Sequence, residues 1–239
     1  DEAPVITSST TFSAAENQTA IGTVTATDAD TLDTSSSFTF AVSGSELAID
    51  SDGVLTFTSS PDYETKTSYT TTITASDGAN NSSTQDITVS VNNLNDNSPA
   101  FSSGTSFSAD ENQTAIGTVV SSDADGDDIT YSISGSEIAI NSSTGVISFS
   151  SAPDYETKTS YTATVTSSDG TNSTTQDITV GVNNLNDNPP VFTSDATFSA
   201  AENQTAIGTV TGSDADGNSL SYTVSGSELE ITSAGVLTF

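Results

Sequence analysis

The stretch Ser68-Tyr69-Thr70-Thr71-Thr72-Ile73-Thr74-Ala75 decides the fold. Tyr69, Thr71, Ile73 and Ala75 fall on every second residue, so one face can be buried while the other meets water. The run is β-branched, which suits a pleated strand and disfavours a helix. The same period of two recurs in Phe38, Phe40 and Val42, in Tyr131 and Ile133, and in Ile87, Val89 and Val91. Ser43-Gly44-Ser45 and Asp52-Gly53 supply turns between such runs. The pattern predicts strands near 10–14, 20–27, 37–43, 46–50, 54–58, 68–75 and 84–92. Seven short strands with turns at regular intervals indicate an antiparallel β-sandwich.

The same words return at domain spacing. DYETKTSYT occupies 62–70 and 154–162, and VNNLNDN occupies 91–97 and 182–188. ENQTAIGTV appears three times, led by Glu16, Glu111 and Glu202, at offsets of 95 and then 91 residues. That period is too long for a solenoid and fits beads on a string. The chain therefore reads as all-β, a tandem row of seven-stranded Greek-key sandwiches over 1–95, 96–186 and 187–239. Linkers are expected at 93–99 and 184–190, where Pro99, Pro189 and Pro190 lack an N–H and disfavour helix before them. Asp1–Ile6 aligns with Asp96–Phe101, and Phe239 aligns with Phe149 and Phe57. The expectation is thus a slice of a longer array, beginning inside a linker and stopping before the last two strands of the third repeat. That repeat would not fold alone unless strands came from elsewhere.

Composition narrows the function. There are 32 acidic residues against two lysines, a net charge of −30, and no Cys, His, Met or Trp. Nothing is available to neutralise phosphates, which excludes nucleic acid and anionic membrane surfaces as partners. No apolar run is long enough for direct membrane insertion. Disulfides are ruled out, and a unit of this size can manage a modest core without them. Acidic residues that repeat in every unit, with no His or Cys, do not look like an active site.

The acidic words sit near the ends of the units. Around the first linker they are Glu16, Asp62, Glu64 and Asp96, then Asp123, Asp125 and Asp169 of the next unit. Two unit charges ~5 Å apart at an effective dielectric of ~20 repel by about 3 kcal/mol. Seven such groups beside one lysine require a cation, and an all-oxygen donor set suits a hard ion, calcium first.

Glu16-Asn17, Asp62-Tyr63-Glu64, Asn93-Leu94-Asn95-Asp96-Asn97, Asp123-Ala124-Asp125 and Ser168-Asp169-Gly170, in that order, resemble cadherin repeats. The resemblance covers the whole chain and is closest in flavour to the cadherin-like arrays of large bacterial surface proteins. It implies about three Ca2+ ions per junction. By that likeness Glu16, Asp62, Glu64 and Asp96 hold the two ions nearer the first repeat. Asp125 bridges to a third, shared with Asp123, Asn95, Asp169 and the Asn97 carbonyl. The matching positions further on are Glu111, Asp154, Glu156, Asn186, Asp187, Asn188, Asp214 and Asp216, and in the first repeat Asp1, Asp28, Asp30 and Asp77. The linker's usual leading Asp is replaced by Asn93 and Asn184, which carry an amide oxygen but no charge, so weaker binding is expected there.

Other readings are weaker. The acidic run at 123–128 fails as an EF-hand, because its sixth position is Asp128 and its twelfth Ser134. Glu46, Glu137 and Glu228 read as exposed turn residues, and Lys66 and Lys158 as exposed strand lysines. The resemblance implies a calcium-rigidified rod segment of an extracellular or cell-surface adhesin or filament, whose partners are neighbouring repeats of the same longer chain. The alternatives are a homophilic or glycan-binding adhesion module, in contact with itself or another surface protein, and a filament subunit completed by a neighbour's strands. The tryptophan that swaps between vertebrate adhesive cadherins has no counterpart here.

Overall fold

A computed structural model describes residues 2–29, 38–77 and 84–239, and among them there is no helix. The chain divides into two compact units. The first is Asp1–Pro99 with the loops Asp123–Asp128 and Asp169–Asn172. The second is Ala100–Ser122, Ile129–Ser168 and Ser173–Phe239.

In the first unit the described strands are β1 (Val5–Ile6), β2 (Thr11–Ala15), β3 (Ala20–Thr23), β4 (Ala26–Thr27), β5 (Thr39–Val42), β6 (Leu47–Ile49), β7 (Val54–Phe57), β8 (Ser68–Ser76) and β9 (Gln85–Asn92). One sheet runs β2-β9-β8-β5, a second runs β3-β7-β6, and β1 pairs with β4. β8 and β9 are antiparallel, with Thr71 opposite Ile87. β2 lies parallel to β9, from Thr11 opposite Thr88 to Ala15 opposite Asn92. Such crossovers give a Greek-key sandwich. The alternation in β8 is realised: Thr71, Ile73 and Ala75 are buried, and Tyr69 packs edge-on against Phe57 with ring centroids 5.0 Å apart. Val24, Leu47, Leu55, Ile73, Ile87 and Val89 form the core, drawn from both sheets. Tyr63 packs on its margin.

The single strand expected over 20–27 is two. The N–H of Val24 donates to the Gly53 carbonyl at 2.8 Å, and one residue on the Thr25 carbonyl accepts from the N–H of Thr7 at 2.8 Å. The segment thus passes from β7 to β1, a pair of two-residue strands too short to show any period. Gly53 is required at this hand-over: its φ is +76°, and a Cβ there would lie 2.3 Å from the Val24 carbonyl oxygen. The expected strand at 37–43 is seen as β5, and position 37 lies outside the described residues.

In the second unit, the second repeat reproduces both sheets. Ser106–Asp110, Ser173–Asn183, Ser160–Ser168 and Thr130–Ile133 form the larger one, and Ala115–Thr118, Val146–Phe149 and Ile138–Ile140 the smaller. Val119, Ile147, Val165, Ile178 and Val180 are buried in its core. The third repeat shows a three-stranded sheet of Ala206–Thr209, Val236–Thr238 and Glu230–Ile231, and a pair of Val191–Phe192 with Gly212–Ser213. No larger sheet covers it within these residues, so Phe192 is 72% exposed and Phe239 60%, whereas Phe149 is 3% exposed.

The two lysines differ from the expectation of plain exposed residues. Lys66 Nζ meets Glu46 Oε1 at 2.5 Å and lies 4.2 Å from the centre of the Tyr69 ring. Lys158 repeats this with Glu137 at 2.6 Å and Tyr161 at 4.2 Å. Each is a local partner of the SGSE turn and a tyrosine face.

Candidate metal centre

Glu16 directly follows the β2 strand and is only 2% exposed. Its two oxygens are already used: Oε2 accepts the N–H of Tyr63 at 2.7 Å and Oε1 that of Leu94 at 2.8 Å. One carboxylate thus pins the DYE loop and the linker to the same strand end. Glu111 does the same with Tyr155 at 2.8 Å and Leu185 at 2.7 Å. Glu202, whose repeat has neither of these words within the 239 residues, is exposed. The chain can turn sharply after each glutamate because the next residue is Asn17, Asn112 or Asn203, each at a φ of 62–65°.

Carboxylate oxygens of Glu16, Glu64, Asp96 and Asp125 all lie within 4.8 Å of one another. So do those of Glu111, Glu156, Asp187 and Asp216. Each set lies within one unit. Asparagine amides hold both sets together. Asn97 Nδ2 reaches Asp96 Oδ1 and Asp125 Oδ1 at 2.9 Å each and Glu64 Oε2 at 3.3 Å. Asn188 repeats the first two distances to Asp187 and Asp216, and meets Glu156 at 3.1 Å. Asn17 donates to Asp96, and Asn112 to Asp187. Asp125 Oδ2 also accepts the N–H groups of Asp96 at 3.0 Å and Asn97 at 2.8 Å.

A third group joins Asp123, Asp125 and Asp127. Asp123 Oδ1 accepts the Asp125 N–H at 2.9 Å, and Asp169 Oδ1 accepts those of Thr171 at 2.7 Å and Asn172 at 2.6 Å. The other oxygen of each, Oδ2, is buried with no hydrogen-bond donor. A buried carboxylate oxygen without a donor is unfavourable unless a cation faces it. Asn95 stands close by: its Oδ1 and carbonyl accept from Asn172 Nδ2 at 3.0 and 3.4 Å, and the Asn97 carbonyl accepts at 3.2 Å. The donor set is carboxylate, amide oxygen and main-chain carbonyl throughout, which fits a hard, oxygen-seeking cation.

Crowding shifts the titration. Loss of water, a hydrogen bond with Asp125 and the charges of Glu16 and Asp125 push Glu64 above the ordinary glutamate value. Loss of water and the charges of Glu111 and Asp216 do the same to Glu156. Asp127 is raised by loss of water and by the charges of Asp123, Asp125 and Asp169. Asp125 and Asp216 are held low, chiefly by the amides of Asn97 and Asn188. For Asp169 loss of water acts upward, and the N–H groups of Asn172 and Thr171 outweigh it to hold it low.

Other residues named from the sequence stand apart. Asp62 and Asp154 turn back on their own loops, accepting the Thr65 and Thr157 hydroxyls at 3.0 Å, and belong to neither set of four. Asn93 and Asn184 direct their amides at the carbonyls of Asp125 and Asp216. Asp214 Oδ1 accepts the Asp216 N–H at 3.0 Å, and Asn186 is exposed. Asp28 and Asp77 are half-buried and join no acidic group among the described residues. Asp1 and Asp30 lie outside the described residues. Asp127, Asn17 and Asn172 also take part, beyond the ligand residues expected from the sequence. Asp127 carries the one signal available in advance, a third acid two residues beyond Asp125.

The class these features define is a modular all-β protein, built of β-sandwich repeats whose acidic loops converge on oxygen clusters. The Cadherin domain family profile matches residues 10–92. Human Protocadherin Fat 4 is 34% identical over 203 residues, 75% of this chain and 4% of its own length. Repeats EC22–24 of mouse Cadherin-23 superpose with a TM-score of 0.73 at 24% identity, over 100% of this chain and 88% of that one. A Protocadherin gammaB7 EC3–6 cis-dimer structure gives 0.78 at 25% identity, over 100% and 69%. The chain is built of tandem cadherin-like repeats. It is thus an extracellular or cell-surface adhesion module and not an enzyme. It spans about 4% of the length of the full-length relative named. These relatives are animal proteins and lend no support to the likeness to bacterial arrays.

Proposed function

We propose that the chain is a calcium-rigidified segment of a longer adhesion protein, with sandwiches over 1–95, 96–186 and 187–239 and calcium at their junctions. The observation that carries this reading is the convergence of Glu16, Glu64, Asp96 and Asp125, repeated by Glu111, Glu156, Asp187 and Asp216. Calcium, when bound, supplies the positive charge that offsets repulsion among these carboxylates. The residues supply the rest: Glu16 and Glu111 anchor the loops, Asp96 and Asp187 come from the linkers, and Asp125 and Asp216 reach back from the following repeat. Asp123, Asp169, Asn95 and the Asn97 carbonyl would hold a further ion. Asp62 and Asp154 would have to leave their threonines to take part. The function is to keep a binding element elsewhere in the protein at a set distance from the surface that bears it.

Small-angle scattering of the full chain, in millimolar calcium and then in excess chelator, tests this, with far-UV circular dichroism alongside. An extended particle that becomes flexible on chelation, with strand signal retained, is the expected result. Unchanged scattering with no heat of calcium binding would leave an acidic spacer held by packing alone. Self-association is a second reading, favoured by the cis-dimer of the gammaB7 relative; sedimentation equilibrium showing only monomer at high concentration would remove it.

A further inference from the structure

Asn93 and Asn184 hold equivalent places in the two linkers, and the structure gives both the same contact. Asn93 Nδ2 lies 2.7 Å from the main-chain carbonyl of Asp125, and Asn184 Nδ2 lies 3.0 Å from that of Asp216. The amide orientation is dictated by chemistry, because turning it over would set the side-chain oxygen against another acceptor. A carboxylate in the same place has no proton to donate and would need a cation between itself and the loop.

We infer that Asn93 and Asn184 are positioning residues that tie each linker to the following Asp-Ala-Asp loop without a cation. The bond goes to the main chain, so it is indifferent to the charge on Asp125 or Asp216. The side chains of those aspartates are gripped separately, through the N–H of Asn97 at 2.8 Å and of Asn188 at 2.8 Å. Each loop is thus held at two points, one dependent on a carboxylate and one not. The neutral amide withholds a negative charge from the cluster, which weakens its pull on a cation, and in exchange keeps the loop in place when none is bound. The statement about cation affinity rests on the calcium reading above; the tie itself does not.

The test compares the full chain with N93D/N184D and N93A/N184A by amide hydrogen exchange in excess chelator, followed by calcium titration calorimetry. Both side chains are exposed, and the buried amides of Ile73 and Val165 report whether each variant keeps its core. Losing one such bond should speed exchange of the Asn97 and Asn188 amides about fivefold in both variants, with core amides unchanged. Calcium should bind more tightly to N93D/N184D than to the unaltered chain. Equal protection of Asn97 and Asn188 in all three proteins overturns the tie, whatever calcium does. Differing protection with no calcium binding keeps the tie and removes the calcium reading.

Discussion

Glu16 and Glu111 show how one buried side chain can serve a loop, a linker and a cluster at once. The titration around them follows from the same crowding. With no metal present, Glu64 and Glu156 are raised, so they take up protons before an ordinary glutamate as pH falls. Asp125 and Asp216 are lowered, so they stay charged below the ordinary aspartate value. Lowered aspartates contribute stability that is present above their unfolded value and lost as pH falls through the folded one. Raised glutamates act the other way: their unfavourable charge is relieved on protonation. Metal-free protein should therefore tolerate mild acid and lose its loop contacts only below the ordinary aspartate range. Carboxyl carbon NMR titration in chelator should place Glu64 and Glu156 above the usual glutamate midpoint and Asp125 and Asp216 below the usual aspartate one; the reverse order would refute the account. The acidic members of both clusters were legible, since each stands in a repeated word. Their hydrogen bonds were not, because where Asn17, Asn93 or Asn172 directs its N–H groups depends on carboxylate, amide and main-chain oxygens brought in from distant parts of the sequence.

Strands and turns divide in the same way between the readable and the hidden. The alternation in Tyr69–Ala75 spans three periods and predicts its own buried face. The β1–β4 pair, two residues a side, offers no period, and its partner is chosen by where the Gly53 carbonyl stops the preceding ladder. Turn glycines also look alike in sequence yet differ in surroundings. Gly145 has a φ of +69° and a Cβ there would lie 2.2 Å from the Val119 carbonyl oxygen, whereas Gly135, at +81°, has nothing within 4 Å. Gly135→Ala should destabilise the second repeat by about 1 kcal/mol, from backbone conformation alone. Gly145→Ala should cost at least ~2 kcal/mol more, since main chain must move. Chemical denaturation of both variants decides this, and equal losses would mean that the clash relaxes freely.

Across the whole molecule, a net charge of −30 with only two cations makes repulsion the dominant long-range term. Unfolding temperature measured in chelator should rise as sodium chloride is raised from about 10 to 500 mM, because the screening length contracts from roughly 30 Å to a few ångströms. Millimolar calcium, binding at the clusters as proposed above, should match much of that gain at low salt without general screening. A flat salt response would show that the carboxylates are already compensated within the fold.

The parallel pairing of β2 with β9 has a further consequence. The first strand of that pair lies near the start of its repeat and the second near the end, side by side and pointing the same way. Tension applied through the two ends of the repeat therefore drags these neighbours in opposite directions along their shared axis. All five register pairs, Thr11–Thr88 to Ala15–Asn92, are sheared together and none can be peeled open first. The repeat is thus fastened against a pull along the line that joins its two ends.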